Sequence, residues 1–264
     1  MRLLTLLAIA VGLAGPRLAA AQSDIGVVLM HGKQAMPGQP PGMAQLESEL
    51  QRHGAKVVSP QMPWASGSWQ KIDVTVEGAH ALIDAQVSQL RARGARRIVV
   101  AGHSIGANVA LSYAVARPDV AAIVMISPGH SPSFSARTMP DYVAALEKAA
   151  ALVQSGQGAQ AFTGPDNNQG RKFDVSTTAE IYQSWMSPRR AANMANQAPL
   201  LSARIPVLVL MGDSDPAASI TEGSIYRPAA KHPYSKYLAV AGDHGGAIGG
   251  AVGQVAAWVA GLPQ

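Results

Sequence analysis

The chain has 264 residues, of which 48% are hydrophobic and 14% charged, with a formal net charge of +5 and no cysteine. This length suits one large domain with a substantial core, and the apolar content excludes a disordered chain. The absence of cysteine excludes a disulfide scaffold, a cysteine-ligated metal site and a cysteine nucleophile.

The first segment has the features of an export signal. Arg2 gives a positive start, Leu3–Ala14 is a nearly continuous apolar run, and Ala19–Ala21 offers a small-residue cleavage site. The apolar run is shorter than the roughly 20 residues that a membrane-spanning helix needs. The sequence therefore predicts a signal peptide over residues 1–21 and a bacterial periplasmic or secreted mature chain without a membrane anchor, an uncleaved anchor being the alternative.

Short apolar, β-branched runs alternate with helical patterns along the rest of the chain. Most of these runs are continuous rather than alternating, which is typical of strands buried on both faces of a parallel sheet. The predicted strands are Ile25–Met30, Lys56–Ser59, Arg97–Ala101, Ala121–Ile126, Pro206–Met211 and Lys236–Val240. The alternation predicts a single α/β domain over residues 22–264, with a doubly wound, mainly parallel sheet of about six strands.

One long segment interrupts this alternation. Residues 128–204 separate the fourth predicted strand from the fifth by far more than a crossover helix needs. Ala144–Val153 and Ala179–Asn196 have helical spacing, and the span between them, Gly156–Gly170, is rich in Gly and Asn. We expect this segment to form a small helical cap over the carboxyl edge of the sheet.

A serine lies between two glycines at the end of the third predicted strand, in Gly102-His103-Ser104-Ile105-Gly106. A serine on such a strand-to-helix turn has a strained backbone and an exposed hydroxyl, and the glycines avoid backbone collisions. The helix start at Ile105 offers a backbone N–H and a positive dipole to a developing oxyanion. The pattern predicts Ser104 as a nucleophile, an ordinary glycine-bounded turn being the alternative.

The same edge of the sheet supplies a base and an acid. Of the seven histidines, His244 follows the last predicted strand and precedes the final helix, where open α/β sheets place their sites. Asp213 and Asp215 follow the fifth predicted strand, and both are candidates to orient the histidine. The chain order serine, aspartate, histidine differs from that of the chymotrypsin and subtilisin arrangements.

These motifs, together with Leu29-Met30-His31-Gly32-Lys33, resemble those of α/β-hydrolases of the small esterase-like branch, over residues 25–260. In that family the acid usually stands three residues after the glycine that ends the strand, which implies Asp215 rather than Asp213. The resemblance also implies an oxyanion hole formed by the backbone N–H groups of Lys33 and Ile105.

The activity that the resemblance implies is cleavage of a carboxylic ester, or a related acyl bond, through an acyl-enzyme intermediate and without a cofactor. Amidase, thioesterase, lactonase and peptidase chemistry stay open. The alternative from another class is a non-catalytic periplasmic binding protein on the same scaffold. Because the export signal leaves no room for the two antiparallel strands that usually lead this fold, we expect a reduced sheet.

Four side chains are candidates to line an apolar acyl pocket for a small-molecule or lipid-like substrate: Trp64, Trp69, Trp185 and His130. The alternative is that they pack the cap onto the sheet. The sequence has no metal-ligand spacing and no phosphate-binding glycine motif. The arginines between Arg91 and Arg97 fit a solvated helix end better than a nucleic-acid surface.

Overall fold

The computed structural model describes residues 24–39 and 42–263. The predicted export signal over residues 1–21 lies outside the described residues and stays an expectation. Within the described ranges, no helix has the length and apolar content needed to cross a bilayer.

The strands are, in chain order, β1 (Ile25–Met30), β2 (Lys56–Val58), β3 (Arg97–His103), β4 (Ala122–Ile126), β5 (Ala161–Asn168), β6 (Arg171–Thr178), β7 (Val207–Gly212) and β8 (Lys236–Val240). The helices are α1 (Gly42–Arg52), α2 (Val76–Ala92), α3 (Ile105–Ala116), α4 (Pro132–Thr138), α5 (Pro140–Gln154), α6 (Ala179–Met186), α7 (Met194–Gln197), α8 (Ala218–Thr221), α9 (Arg227–Ala229) and α10 (Ala247–Ala260).

A parallel sheet of six strands forms the centre of the molecule, in the order β2-β1-β3-β4-β7-β8. The chain runs outward from β1 to β2 and then returns to β3 on the other side of β1, so the strand order reverses between β1 and β3. Met30 at the end of β1 lies opposite Gly102 near the end of β3. The loops that follow these two strands therefore emerge side by side at the edge where open α/β sheets bind ligands.

Two hydrophobic cores cover the two faces of the sheet. Val27 and Leu29 face the core that contains residues of α1 and α10, whereas Val28 and Met30 face the core that contains residues of α2, α3 and the inserted segment. The alternation along β1 places every strand side chain in one core or the other, which explains why the run is apolar throughout. The predicted doubly wound α/β fold with about six parallel strands is confirmed.

The inserted segment is a mixed cap rather than the helical one that the sequence led us to expect. Strands β5 and β6 form an antiparallel hairpin where only a Gly- and Asn-rich span was predicted. Its turn holds Gln169 and Gly170 at φ angles of 51° and 82°, a geometry that favours glycine and tight hairpins. The helix predicted over 179–196 ends at Met186, because Pro188 restricts the preceding residue and lacks an N–H to continue it.

Candidate active site

Ser104 stands at the turn between β3 and α3 in a strained backbone conformation. Its φ and ψ are 56° and −119°, in a region that a residue with a side chain rarely occupies. The backbone N–H donates to the carbonyl of Ile126 at 3.0 Å, and the Ser104 carbonyl accepts from the N–H of Gly129 at 3.0 Å. The loop after β4 therefore holds the strained residue in place. Such stored strain is concentrated at functional sites.

The two glycines of the turn are required by close backbone approaches. A Cβ added at Gly102 would lie 2.3 Å from the carbonyl carbon of Gly106, and one at Gly106 would lie 2.7 Å from the Met30 carbonyl oxygen. Neither neighbour is a side chain that can rotate away. The glycine spacing in the sequence therefore reports a physical constraint of this turn.

Ser104, His244 and Asp215 form a continuous hydrogen-bonded relay. Ser104 Oγ lies 2.9 Å from His244 Nε2, and His244 Nδ1 lies 2.8 Å from Asp215 Oδ2. Asp215 Oδ2 accepts from the N–H at Nδ1 of His244, so the carboxylate favours the tautomer in which Nε2 is free to accept a proton from Ser104. The other oxygen of Asp215 accepts from the N–H of Ala217 at 2.9 Å, which fixes the carboxylate.

Asp213 has a different task from Asp215. Its Oδ1 accepts from the backbone N–H of Gly242 at 3.1 Å and its own N–H donates to the Val240 carbonyl at 2.8 Å. These bonds join the loop after β7 to the loop after β8. Asp215 thus contacts His244, whereas Asp213 joins the two loops that carry Asp215 and His244.

The backbone segments of the predicted oxyanion hole lie beside Ser104. A Cβ at Gly32 would stand 3.3 Å from the Ser104 Cβ, so the loop after β1 touches the turn. Among the described residues, neither the N–H of Lys33 nor that of Ile105 donates to another backbone group. Ile105 is the first residue of α3, where a helix leaves its N–H groups without intrahelical partners.

A comparison with protein families identifies the family of this chain. The model of the alpha/beta hydrolase family matches residues 27–257, which include all five predicted catalytic and oxyanion positions. The chain belongs to the alpha/beta hydrolase family. None of the curated proteins matches the sequence of this hydrolase.

Solved structures share the fold of this hydrolase at low sequence identity. The metagenome-derived lipolytic enzymes LipS and LipT give a match with a TM-score of 0.60 and 17% identity, covering 90% of this chain and 94% of theirs. The monoacylglycerol lipase of Paleococcus ferrophilus matches with a TM-score of 0.60 and 19% identity over 90% and 95% of the chains. Est1E from Butyrivibrio proteoclasticus with bound ferulic acid matches with a TM-score of 0.59 and 17% identity over 89% and 86%.

His103, which precedes Ser104 in this hydrolase, contacts the backbone of His244. Its Nε2 lies 2.8 Å from the backbone carbonyl of His244, so that nitrogen carries the proton and donates. Burial, helped by the charge of His244, lowers the pKa of His103 to about 4. The ring is therefore neutral near pH 7 and holds the His244 backbone.

The predicted acyl-pocket side chains form a packed cluster. Trp64, Trp69 and Trp185 have 0% exposed surface. The Trp185 ring makes edge contacts with Trp64 at 5.9 Å and with Trp69 at 5.3 Å between centroids. His130 donates from Nε2 to the Trp185 carbonyl at 3.0 Å. In this arrangement the indole rings pack the cap onto the sheet and do not line an open pocket, because no part of them reaches solvent.

A buried charge cluster that the sequence did not predict lies next to the oxyanion segment. The side chain of Lys33 reaches Asp166 of the cap hairpin, with Nζ 2.6 Å from Oδ2. In the sequence Asp166 stands in a polar span without metal-ligand spacing, so nothing there marks it as buried. Across the two described ranges, no group of three or more His, Asp or Glu side chains is arranged to hold a metal ion.

Proposed function

We propose that this protein is a serine hydrolase that cleaves a carboxylic ester of a small or lipid-like acyl substrate. The observation that carries the proposal is the relay from Ser104 through His244 to Asp215, with both hydrogen bonds shorter than 3 Å. A nucleophile hydrogen-bonded to a base that a third group orients is the signature of covalent acyl transfer. The lipolytic activities of two structural relatives, LipS and LipT and the monoacylglycerol lipase, support the choice of an ester.

In the acylation step, Ser104 Oγ attacks the carbonyl carbon of the ester while His244 Nε2 takes its proton. Asp215 stabilises the imidazolium that forms. The carbonyl oxygen becomes an oxyanion, which the N–H groups of Lys33 and Ile105 would bind. The C–O bond to the alcohol then breaks, the proton on Nε2 passes to the leaving oxygen, and the acyl group stays on Ser104.

In the deacylation step, a water molecule attacks the acyl carbon and gives its proton to His244. The second tetrahedral intermediate collapses, the bond to Ser104 Oγ breaks, and the histidine returns the proton to that oxygen. The products are a carboxylic acid and the free enzyme. In acylation Ser104 is the nucleophile, and in deacylation it is the leaving group. His244 first accepts a proton and then donates it in both steps.

A panel of p-nitrophenyl esters of graded acyl length, with an amide and a lactone, tests this proposal. We expect ester hydrolysis by the wild type and a loss of about 10⁴- to 10⁶-fold in kcat for Ser104→Ala. Ser112→Ala, which changes another buried serine that lies in α3, is the matched control and should keep ester hydrolysis. Equal hydrolysis by Ser104→Ala and wild type would overturn the proposal, and so would no turnover of any substrate.

A further inference from the structure

Lys33 and Asp166 form an ion pair in the interior, joining residues 133 positions apart. Their side chains are 3% and 2% exposed, and Lys33 Nζ lies 2.6 Å from Asp166 Oδ2. Burial works to raise the pKa of Asp166, but the charge and hydrogen bond of Lys33 outweigh it and lower the pKa. The carboxylate is therefore charged at neutral pH.

Every hydrogen of the Lys33 ammonium group has an acceptor. Besides Asp166, Nζ contacts His130 Nδ1 at 3.1 Å and the Asn167 carbonyl at 3.3 Å. It also lies 4.6 Å from the centroid of the Trp69 ring, whose Nε1 donates to Asp166 Oδ2 at 2.7 Å. Lys33, Trp69, His130 and Asp166, here called the Lys33 cluster, thus form a closed polar network.

His130 completes the network as a neutral ring. Burial, helped by the charge of Lys33, lowers its pKa to about 4. Nδ1 is therefore free to accept from Lys33, while Nε2 donates to the Trp185 carbonyl at 3.0 Å. The ring connects the cap to the loop that follows β4.

The Lys33 cluster joins four segments of the chain, one of which, between β2 and α2, carries Trp69. Lys33 lies in the loop after β1, Asp166 belongs to β5 of the cap hairpin, and His130 follows Gly129. A Cβ at Gly129 would lie 2.6 Å from Ser104 Oγ, so that loop directly borders the site. A buried ion pair gives little net stability compared with apolar side chains of similar size, and fixing one geometry is the better-supported use of such a pair.

We infer that Asp166 is a positioning residue that acts through Lys33 and His130 to hold the Lys33 backbone N–H where it can bind the oxyanion. This inference rests on the proposed function, because it assigns a task within that reaction. Asp166 does not touch the reacting atoms. It keeps the loop after β1 at a fixed distance from Ser104 through a contact made entirely by side chains.

The variant Asp166→Asn tests the inference because it keeps the shape of the side chain and removes its charge. Since oxyanion binding is stronger in the transition state than in the ground state, we expect kcat to fall about 10- to 100-fold with KM within about twofold. The inhibition constant of a trifluoromethyl ketone, which forms a tetrahedral adduct, should rise by the same factor. Asp174→Asn, on the exposed side of the same hairpin, should leave all three quantities unchanged.

Active-site titration with a fluorophosphonate separates positioning from folding. A structural defect alone would lower the fraction of titratable enzyme and leave kcat per titrated site at the wild-type value, and that result would overturn the inference. If Asp166→Asn does not fold, the test uses instead the double variant Lys33→Met with Asp166→Asn, in which both charges are removed. This variant should show the reduced kcat per site, and wild-type kcat in it would also overturn the inference.

The two proposals fail in different ways. If Ser104→Ala retains ester hydrolysis, the proposed reaction is wrong regardless of Asp166. If Ser104→Ala is inactive while Asp166→Asn turns over normally per titrated site, the reaction stands and only the positioning role of Asp166 falls.

Discussion

The carboxyl edge of the sheet and the cap organise their polar groups in different ways. At the edge, each residue of the proposed triad stands close in sequence to a glycine of its turn: Ser104 lies two residues from Gly102 and Gly106, Asp215 three residues after Gly212, and His244 two residues after Gly242. The Lys33–Asp166 pair, which joins the loop after β1 to the cap, depends instead on a contact across 133 positions. The turns that carry the proposed triad are thus recognisable from nearby residues, although the loop after β4 and His103 also hold them, whereas the pair that holds the loop after β1 has no such local signal.

We expect the largest difference in kcat between variants of Asp215 and Asp213, the two aspartates at the carboxyl edge of the sheet. Asp215→Asn leaves the geometry nearly intact but favours the wrong histidine tautomer, so kcat should fall about 10⁴-fold in ester hydrolysis. Asp213→Asn, which changes the bonds of Asp213 to Gly242 and Ser214 and leaves the relay intact, should stay within about tenfold of the wild type. A greater loss of kcat in Asp213→Asn than in Asp215→Asn would show that the relay is misassigned.

A variant that disrupts the packing of the cap should mainly lower the free energy of unfolding. Trp185→Ala removes a fully buried ring that contacts two other indoles and donates from Nε1 to the Val74 carbonyl at 2.8 Å. We expect a loss of about 3–5 kcal/mol in the free energy of unfolding by urea. Leu82→Ala, which truncates a side chain that is 43% exposed, is the control and should cost far less. Similar losses in both variants would mean that the tryptophan cluster does not anchor the cap.

Gly129, in the loop after β4, lies directly beside Ser104. Its φ does not demand glycine, but an added Cβ would lie 2.6 Å from Ser104 Oγ and 3.4 Å from His244 Cε1. We expect Gly129→Ala to lower kcat/KM about 10- to 100-fold, since displacement of the reacting atoms by about 1 Å has effects of this size. Gly249→Ala, where the new Cβ meets no atom within 4 Å outside the adjoining residues and backbone of its own helix, should leave kcat/KM unchanged. Full activity in Gly129→Ala would contradict the tight fit at this position.

The smallest effect concerns stability in acid. Burial lowers the pKa of His80 to about 4 from 6.5, so the unfolded chain binds a proton at this residue between these pH values and the folded protein does not. Stability should therefore fall as the pH is lowered from 6.5 to 4. His80→Gln should flatten the dependence of Tm on pH in that window, whereas His53→Gln, at a surface histidine, should not. An unchanged slope in His80→Gln would count against its burial.

The local part of the molecule could be predicted from the sequence. The parallel strands are apolar because both faces are covered, and the turn at Ser104 has a glycine spacing that backbone collisions enforce. The choice between Asp213 and Asp215 came from the resemblance, because both follow the same strand and only the relay geometry distinguishes them.

The cap could not be predicted in the same way. In β5 the buried residues are Phe162, Gly164 and Asp166, but Gly164 and Asp166 are not large hydrophobic residues, so the alternation is hidden in the sequence. The Gln169-Gly170 pair, which forms the turn between β5 and β6, could have indicated the hairpin in the sequence. Asp166 is buried only because Lys33 and Trp69 arrive from distant segments, which no local pattern reports.

The most direct test of the central claim is to trap the acyl-enzyme and locate the acyl group. Rapid mixing with a p-nitrophenyl ester should release a burst of one p-nitrophenol per titrated site when deacylation is slower than acylation, and acid quenching should preserve the intermediate. Mass spectrometry of the digested protein should then find one acyl group on the peptide that contains Ser104. An acyl group on another residue, or ester hydrolysis that continues in Ser104→Ala, would contradict the account.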